Sequence, residues 1–249
     1  MNAVGEFLAA FARARAEQVV ETPGGFAVLS PERYPDAHDH NCLYVVGSVE
    51  PDALIATADR VFADRAYRRI DHVAGETPGD LGAALAAAGY EREPLVEMTL
   101  IRPPDADRPA GDGVVELTLE QRIDFAELFW SGDGSEPDGA VMRELAERAH
   151  SAVTAAQCTF LGVVGDHGVE ASCDLFVRGD VAQIEEVSTL QQFRGRGHAS
   201  RVVQAAVGAA SSATVFLLAD DDDWPKDLYA RLGFDITGRH DVWSRTTPA

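Results

Sequence analysis

Positive charge is scarce in this sequence. Its 249 residues carry 21 lysines and arginines against 41 aspartates and glutamates, a formal charge of -20, and Lys226 is the only lysine. An acidic surface of this kind repels phosphodiesters and anionic lipid, which excludes nucleic acid and acidic membrane as partners. The same field gathers cations, so among small-molecule substrates it suits a cationic amine; solubility alone is the other use of such a charge. Cysteine is scarce as well. Cys42, Cys158 and Cys173 stand at no metal-binding or redox spacing and read as reduced thiols. Long apolar runs are missing, since charges interrupt every one before the roughly 18 residues a membrane helix needs. The alanine-rich start is cut by Glu6, Arg13, Arg15 and Glu17 in a helical pattern, which makes residues 1–20 an amphipathic helix rather than a signal peptide and places the protein in the cytoplasm.

What remains is an ordinary globular composition, 46% hydrophobic and 25% charged. The length allows one large domain or two small ones. Strands are expected at Gly25–Leu29, Leu43–Val49, Arg69–Val73 and Leu95–Ile101, with helices at Asp52–Ala66 and Asp80–Ala88, the last ended by Gly89. Arg102–Gly113, rich in proline and polar residues, reads as a linker. Beyond it come a strand at Val114–Leu117, helices at Leu119–Phe129 and Asp138–His150, and strands at Gln157–Val164, Val169–Arg178 and Val181–Thr189. His38, His40 and Cys42, with Asp36 and Asp39 nearby, form the one cluster that suggests a metal, but no second ligand pair accompanies it; a polar loop is the expectation and no metal is assigned.

The most informative stretch is Ile184–Val203. It reads as strand, glycine turn and helix start, with Gly195 and Gly197 free to take positive φ and the first helical N–H groups pointing at whatever lies over the turn. Such a junction is suited to a phosphate. Ile184 and Val187 are three apart, which breaks the period of two and predicts a bulge in the strand. Further on, Thr214–Ala219 is a short buried-type strand, followed by Asp220–Asp223 and a short helix opened by Pro225 after an aspartate cap and closed by Gly233.

Gln192-Phe-Arg-Gly-Arg-Gly197 fits a Gln/Arg-x-x-Gly-x-Gly/Ala signature, and Leu228-Tyr-Ala-Arg-Leu-Gly-Phe234 is close to Leu-Tyr-x-x-x-Gly-Phe. On these motifs and their order the sequence resembles the GNAT family of coenzyme A dependent N-acyltransferases. The resemblance implies an α+β fold, a mixed and mostly antiparallel twisted sheet splayed at the cofactor strand with helices on both faces. It implies acetyl-CoA as cofactor. Gln192, Arg194, Gly195, Arg196, Gly197, His198, Ala199 and Ser200 would cradle its pyrophosphate; Val187, Ser188 and Thr189 would face the pantetheine arm. Asp222 stands seven residues before Tyr229, where many relatives have asparagine, so its own contact to the cofactor is in question.

The resemblance also implies roles for three further residues. A glutamate on the bulged strand, Glu185 ahead of Glu186, would be general base, and Tyr229 the acid that protonates the departing thiolate. Adjacent strand residues face opposite ways, so only one glutamate can enter the cleft unless the bulge intervenes. The loop Ser131–Pro137 is a candidate lid. Leu81–Tyr90 with Glu97–Leu100 loosely repeats the later Tyr-containing segment without the glycine signature, which suggests a tandem: a degenerate domain at 1–105 and a catalytic one at 106–249. The expected activity is transfer of a short acyl group to a primary amine; the alternative is a non-catalytic acetyl-CoA-binding or sensing module. The sequence leaves oligomeric state open, a homodimer included.

Overall fold

The computed structural model describes residues 1–102, 113–131 and 139–246. Two packed units divide them, and the division is not a single cut: the first holds Met1–Glu97, Ala219–Asp223 and Thr237–Ala249, the second Met98–Leu218 and Trp224–Ile236. All but the ends of the expected linker Arg102–Gly113, and all of the expected lid but Ser131, lie outside the described residues.

In chain order the first unit opens with α1 (Ala3–Arg15), β1 (Gln18–Thr22), β2 (Gly25–Leu29), β3 (Cys42–Val45), α2 (Pro51–Val61), β4 (Tyr67–His72), α3 (Gly79–Ala87) and β5 (Glu91–Leu100). Alternation along its strands decides which helix goes where. Phe26, Val28, Cys42 and Tyr44 join Ala9 and Ala12 of α1 in one core cluster. Their neighbours Ala27, Leu43 and Val45 join Leu54, Ala58 and Phe62 after α2's start, and Leu81 and Leu85 of α3, in another. Helices therefore cover both faces. Pairing is antiparallel for β1/β2 and β2/β3 and parallel for β3/β4.

Three expectations are corrected in this unit. The first helix stops at Arg15, and residues 18–22 form β1 instead; its exposed Val19 and Val20 give no burial rhythm to read. The strand expected to Val49 stops at Val45. The helix expected from Asp52 starts at Pro51, whose fixed φ suits a first turn, and ends at Val61.

The second unit continues with β6 (Val114–Leu117), α4 (Leu119–Ser131), α5 (Gly139–Glu147), α6 (Ala149–Ala155), β7 (Gln157–Gly165), β8 (Gly168–Arg178), β9 (Val181–Thr189), α7 (His198–Ala209), β10 (Thr214–Asp220), α8 (Pro225–Arg231) and β11 (Phe234–Thr246). Its strand order is β10-β9-β8-β7-β6. β6/β7, β7/β8 and β8/β9 are antiparallel, and β9/β10 is parallel. Cys173 on β8 puts its Sγ against the Val202 carbonyl of α7, while Asp174, the next residue, meets Arg122 of α4. Successive strand residues point to opposite faces, so α7 and α4 lie on opposite sides of this sheet. The single helix expected at Asp138–His150 is two helices that meet at Arg148. Only residues 234–236 of β11 belong to this unit; its Asp241–Thr246 stretch lies within the first unit, in antiparallel register with β4.

Candidate active site

The site begins with an irregularity in β9. Ser172 of β8 pairs with Ser188, and Asp174 with Glu185, so one residue on β8 faces two, Glu186 and Val187, on β9. This is the expected β-bulge. Glu186 has φ 53°, the one positive value outside glycine among the described residues. The bulge also sets which way each glutamate faces. By register Glu185 belongs to the face of its partner Asp174, and Glu186 lines a pocket with residues of α4 on that face too. Their partners differ. Gln183 Nε2 donates to Glu185 Oε2 at 2.6 Å, whereas Glu186 is ion-paired to Arg148 and stands 3.9 Å from Arg122.

β9 also parts from β10. Their parallel register runs from Thr214↔Val181 to Phe216↔Gln183. Beyond Gln183 come the bulge and the half-buried Val187, Ser188 and Thr189, with β8 alone paired to them among the described residues. Thr189 Oγ1 is buried there with no hydrogen-bond partner among the described residues.

The turn follows. A 3-10 turn at Gln191–Phe193 leads to Gly195 (φ +77°) and Gly197 (φ +79°), the latter capping α7. A Cβ on either glycine would meet no atom within 4 Å, so it is backbone conformation and not crowding that selects glycine here. Arg201 N–H makes the first bond of α7, to Gly197 O at 3.2 Å; the N–H groups of His198, Ala199 and Ser200 stand ahead of the helical ladder. Arg194 and Arg196 are exposed on the turn, donating to the Thr189 and Gln192 carbonyls at 3.3 and 3.4 Å. His198 is turned inward, Nε2 3.0 Å from Glu170 Oε2 and Nδ1 3.2 Å from Arg201 Nη1.

Tyr229 is buried on α8, its ring edge-on to Phe234 at 6.4 Å. Burial, and then the charges of Glu185 and Cys173, push its pKa well above the ordinary phenol value, so it stays protonated across the neutral range. The cap expected of an aspartate is absent: Trp224 holds the N-cap position of α8 and makes no side-chain capping bond to the helix, and the start is fixed by Pro225. Asp222 lies in the first unit, exposed, its N–H bonded to Asp220 Oδ1 at 2.8 Å.

Four residues escaped the sequence reading: Arg122, Arg148, Ser172 and Asp174. Arg122 and Asp174 make a buried, forked ion pair, Nε to both oxygens at 3.2 and 3.0 Å and Nη2 to Oδ2 at 2.9 Å. The signal was present, for Arg122 sits three after Leu119 and four before Ala126, inside the apolar stripe of its helix. An arginine there needs a buried partner. Beside the pair lies a partly open pocket, its ≈ 200 Å³ of empty space running into solvent, lined by Phe125, Phe129 and Trp130 of α4 with Ser172, Glu186 and Ser188.

The other clusters carry less chemistry. His38 stacks on Tyr67 and His40 packs edge-on to Tyr34, and among the described residues no three His, Cys, Asp or Glu side chains are grouped as metal ligands. The cysteines are free, and burial pushes the Cys158 thiol up to about 12. Among the described residues no helix is long and apolar enough to cross a membrane.

Comparison with known proteins identifies the fold. Residues 160–244 match the family of FR47-like proteins. A GCN5-related N-acetyltransferase from Kribbella flavida superposes with a TM-score of 0.64 at 18% identity, over 100% of this chain and 97% of its own. A tandem GNAT protein from the clavulanic acid biosynthesis pathway gives 0.60 at 15%, over 99% and 94%. A conserved protein of unknown function from Staphylococcus epidermidis gives 0.71 at 15%, over 94% and 96%. No curated protein matches the sequence. The chain has the GNAT fold, a mixed and mostly antiparallel sheet with helices, as the turn and tyrosine motifs suggested.

Proposed function

We propose that this protein is an N-acyltransferase that moves an acetyl or other short acyl group from coenzyme A to a primary amine. The observation that carries this is the parting of β9 from β10 beyond Gln183↔Phe216, followed directly by a turn with two left-handed glycines at the start of a helix.

The residues fit the cofactor. The space over Gly195 and Gly197, the N–H groups at the start of α7, and the exposed Arg194 and Arg196 suit a pyrophosphate. Thr189 Oγ1 is a buried hydroxyl without a partner among the described residues, on the strand stretch that would lie along the pantetheine arm. Bound acetyl-CoA supplies an acyl group activated as a thioester. Glu185 is assigned to take the proton of the attacking amine: its carboxylate is held by an amide, whereas that of Glu186 is met by two guanidinium groups. Tyr229 keeps a proton at its hydroxyl for the leaving sulfur. Because burial strengthens its hold on that proton, Tyr229 gives it up only to a group whose own negative charge is equally poorly solvated.

Titration calorimetry with acetyl-CoA, with Gly195→Glu as control, tests the cofactor assignment, and thiol release across an amine panel tests the chemistry. Binding to wild type alone, with thiol release on adding amine, is the expected result. Binding without thiol release for any amine leaves a cofactor-binding module. Equal binding to both proteins removes the cradle.

A further inference from the structure

Arg122 is a buried charge with one nitrogen left over among the described residues. Its side chain is 4% exposed. Nε and Nη2 are used on Asp174, but Nη1 is buried and has no hydrogen-bond acceptor among the described residues. Buried guanidinium N–H groups are nearly always satisfied, and the partner that fits their planar fork is a carboxylate.

The surroundings specify that partner further. Arg122 lines the pocket together with the hydroxyl-bearing Ser172 and Ser188, which face each other across β8 and β9. On the α4 side the wall is aromatic: Phe125 and Phe129 stack at 6.3 Å, and Trp130 lies under the Arg148 guanidinium at 5.4 Å. The ≈ 200 Å³ of empty space here includes open solvent, so the enclosed part is small and a guest seated on Arg122 lies partly outside it. Charge is the third constraint. Arg122 and Arg148 are balanced by Asp174 and Glu186, so an uncharged or zwitterionic guest keeps this buried group near neutrality and an isolated ion does not.

We infer that this pocket receives the acyl acceptor, and that the acceptor is a small zwitterion, an α-amino acid with an apolar or aromatic side chain. Its carboxylate sits on Arg122 Nη1 and the two serine hydroxyls. Its side chain packs on Phe125, Phe129 and Trp130, and its amine lies toward the bulge that carries Glu185 and Glu186. This deepens the acyltransferase assignment and rests on it for the word acceptor, but the binding claim stands by itself.

The test uses binding, so that it does not depend on turnover. L-Phenylalanine, L-leucine and L-tryptophan, their carboxamides, and phenethylamine are titrated into the whole protein by calorimetry, with and without acetyl-CoA. The acids are expected to saturate, with the amides roughly tenfold to a hundredfold weaker, as for loss of a buried charged hydrogen bond. In the Arg122→Gln/Asp174→Asn double variant, which keeps a hydrogen-bonded neutral pair and is checked for folding by circular dichroism, that preference should vanish. Equal affinity for acids and amides, preference for phenethylamine, a preference that survives the double variant, or no saturation by any acid overturns the assignment. Binding of acids without thiol release from acetyl-CoA refutes acyl transfer and leaves the pocket's ligand class standing. Efficient acylation of phenethylamine in preference to the acids does the reverse.

Discussion

Asp174 of β8 and Arg122 of α4 lock strand to helix with three contacts between 2.9 and 3.2 Å, both side chains almost wholly buried. Burial works against Arg122's charge, yet Asp174 and Glu186 outweigh it and raise its pKa. Removing one partner of such a pair strands the other. Asp174→Asn should therefore lower stability by about 3–5 kcal/mol, seen as a fall in the urea midpoint with unchanged slope. An unaltered midpoint would mean that the fold does not lean on this pair.

Tyr229→Phe removes only a hydroxyl from a buried ring. Turnover with a good amine should fall about a hundredfold or more, in the range of a lost general acid, while calorimetric affinity for acetyl-CoA stays as it was. Glu185→Gln should remove the acidic limb of the pH–rate profile, and Glu186→Gln should not. A profile changed only by Glu186→Gln would move the base to the bulge residue.

In the first unit His240 is wholly buried, with Nδ1 3.4 Å from Glu97 Oε1 and Nε2 3.6 Å from Asp71 Oδ1. Burial lowers its pKa, but the Glu97 hydrogen bond and the charges of Asp71, Glu97 and Asp241 more than reverse this, and the net shift is upward. A raised histidine pKa stabilises fully below the unfolded value, about 6.5, and the gain is lost as pH rises through the folded value. Glu97 and Asp241 go the other way. Burial would raise them, but bonds from His240 and Asn2 to the one, and from Thr77 N–H and Arg92 to the other, hold them low. Their contribution is present above the carboxylate range, about pH 4, and lost on acidification. Stability should thus peak between about pH 4.5 and 6.5, and His240→Gln should flatten the alkaline side of that peak in thermal melts across pH. A variant with the wild-type profile would show that the histidine is neutral in the fold.

The parts of the fold that could be read in advance are those where a local rule acts alone. The bulge was legible because Ile184 and Val187 fall out of phase, and the turn because Gly195 and Gly197 are the residues that positive φ demands. β1 was not, since an edge strand whose residues are nearly all exposed carries no alternation. The break between α5 and α6 at Arg148 hid for a related reason: alanines at 146, 149 and 152 suit a continuous helix as well as two short ones. Half of the site was equally hidden. Arg122 and Asp174 lie 52 residues apart, and nothing in either segment names the other. Only burial of both charges on facing elements joins them.

The bulge has one more consequence. A β-strand is a two-phase message, one face and then the other, and an inserted residue exchanges the phases from that point on. In β9 this exchange falls between Glu185 and Ser188, which share a face although they are three positions apart. A substitution at Glu186 alters one side chain. A one-residue deletion there would turn over all that follows, taking Ser188 from the aromatic pocket and setting Thr189 and the glycine turn on the opposite phase. Length, rather than identity, is the property of this strand that keeps its two halves in the same sentence.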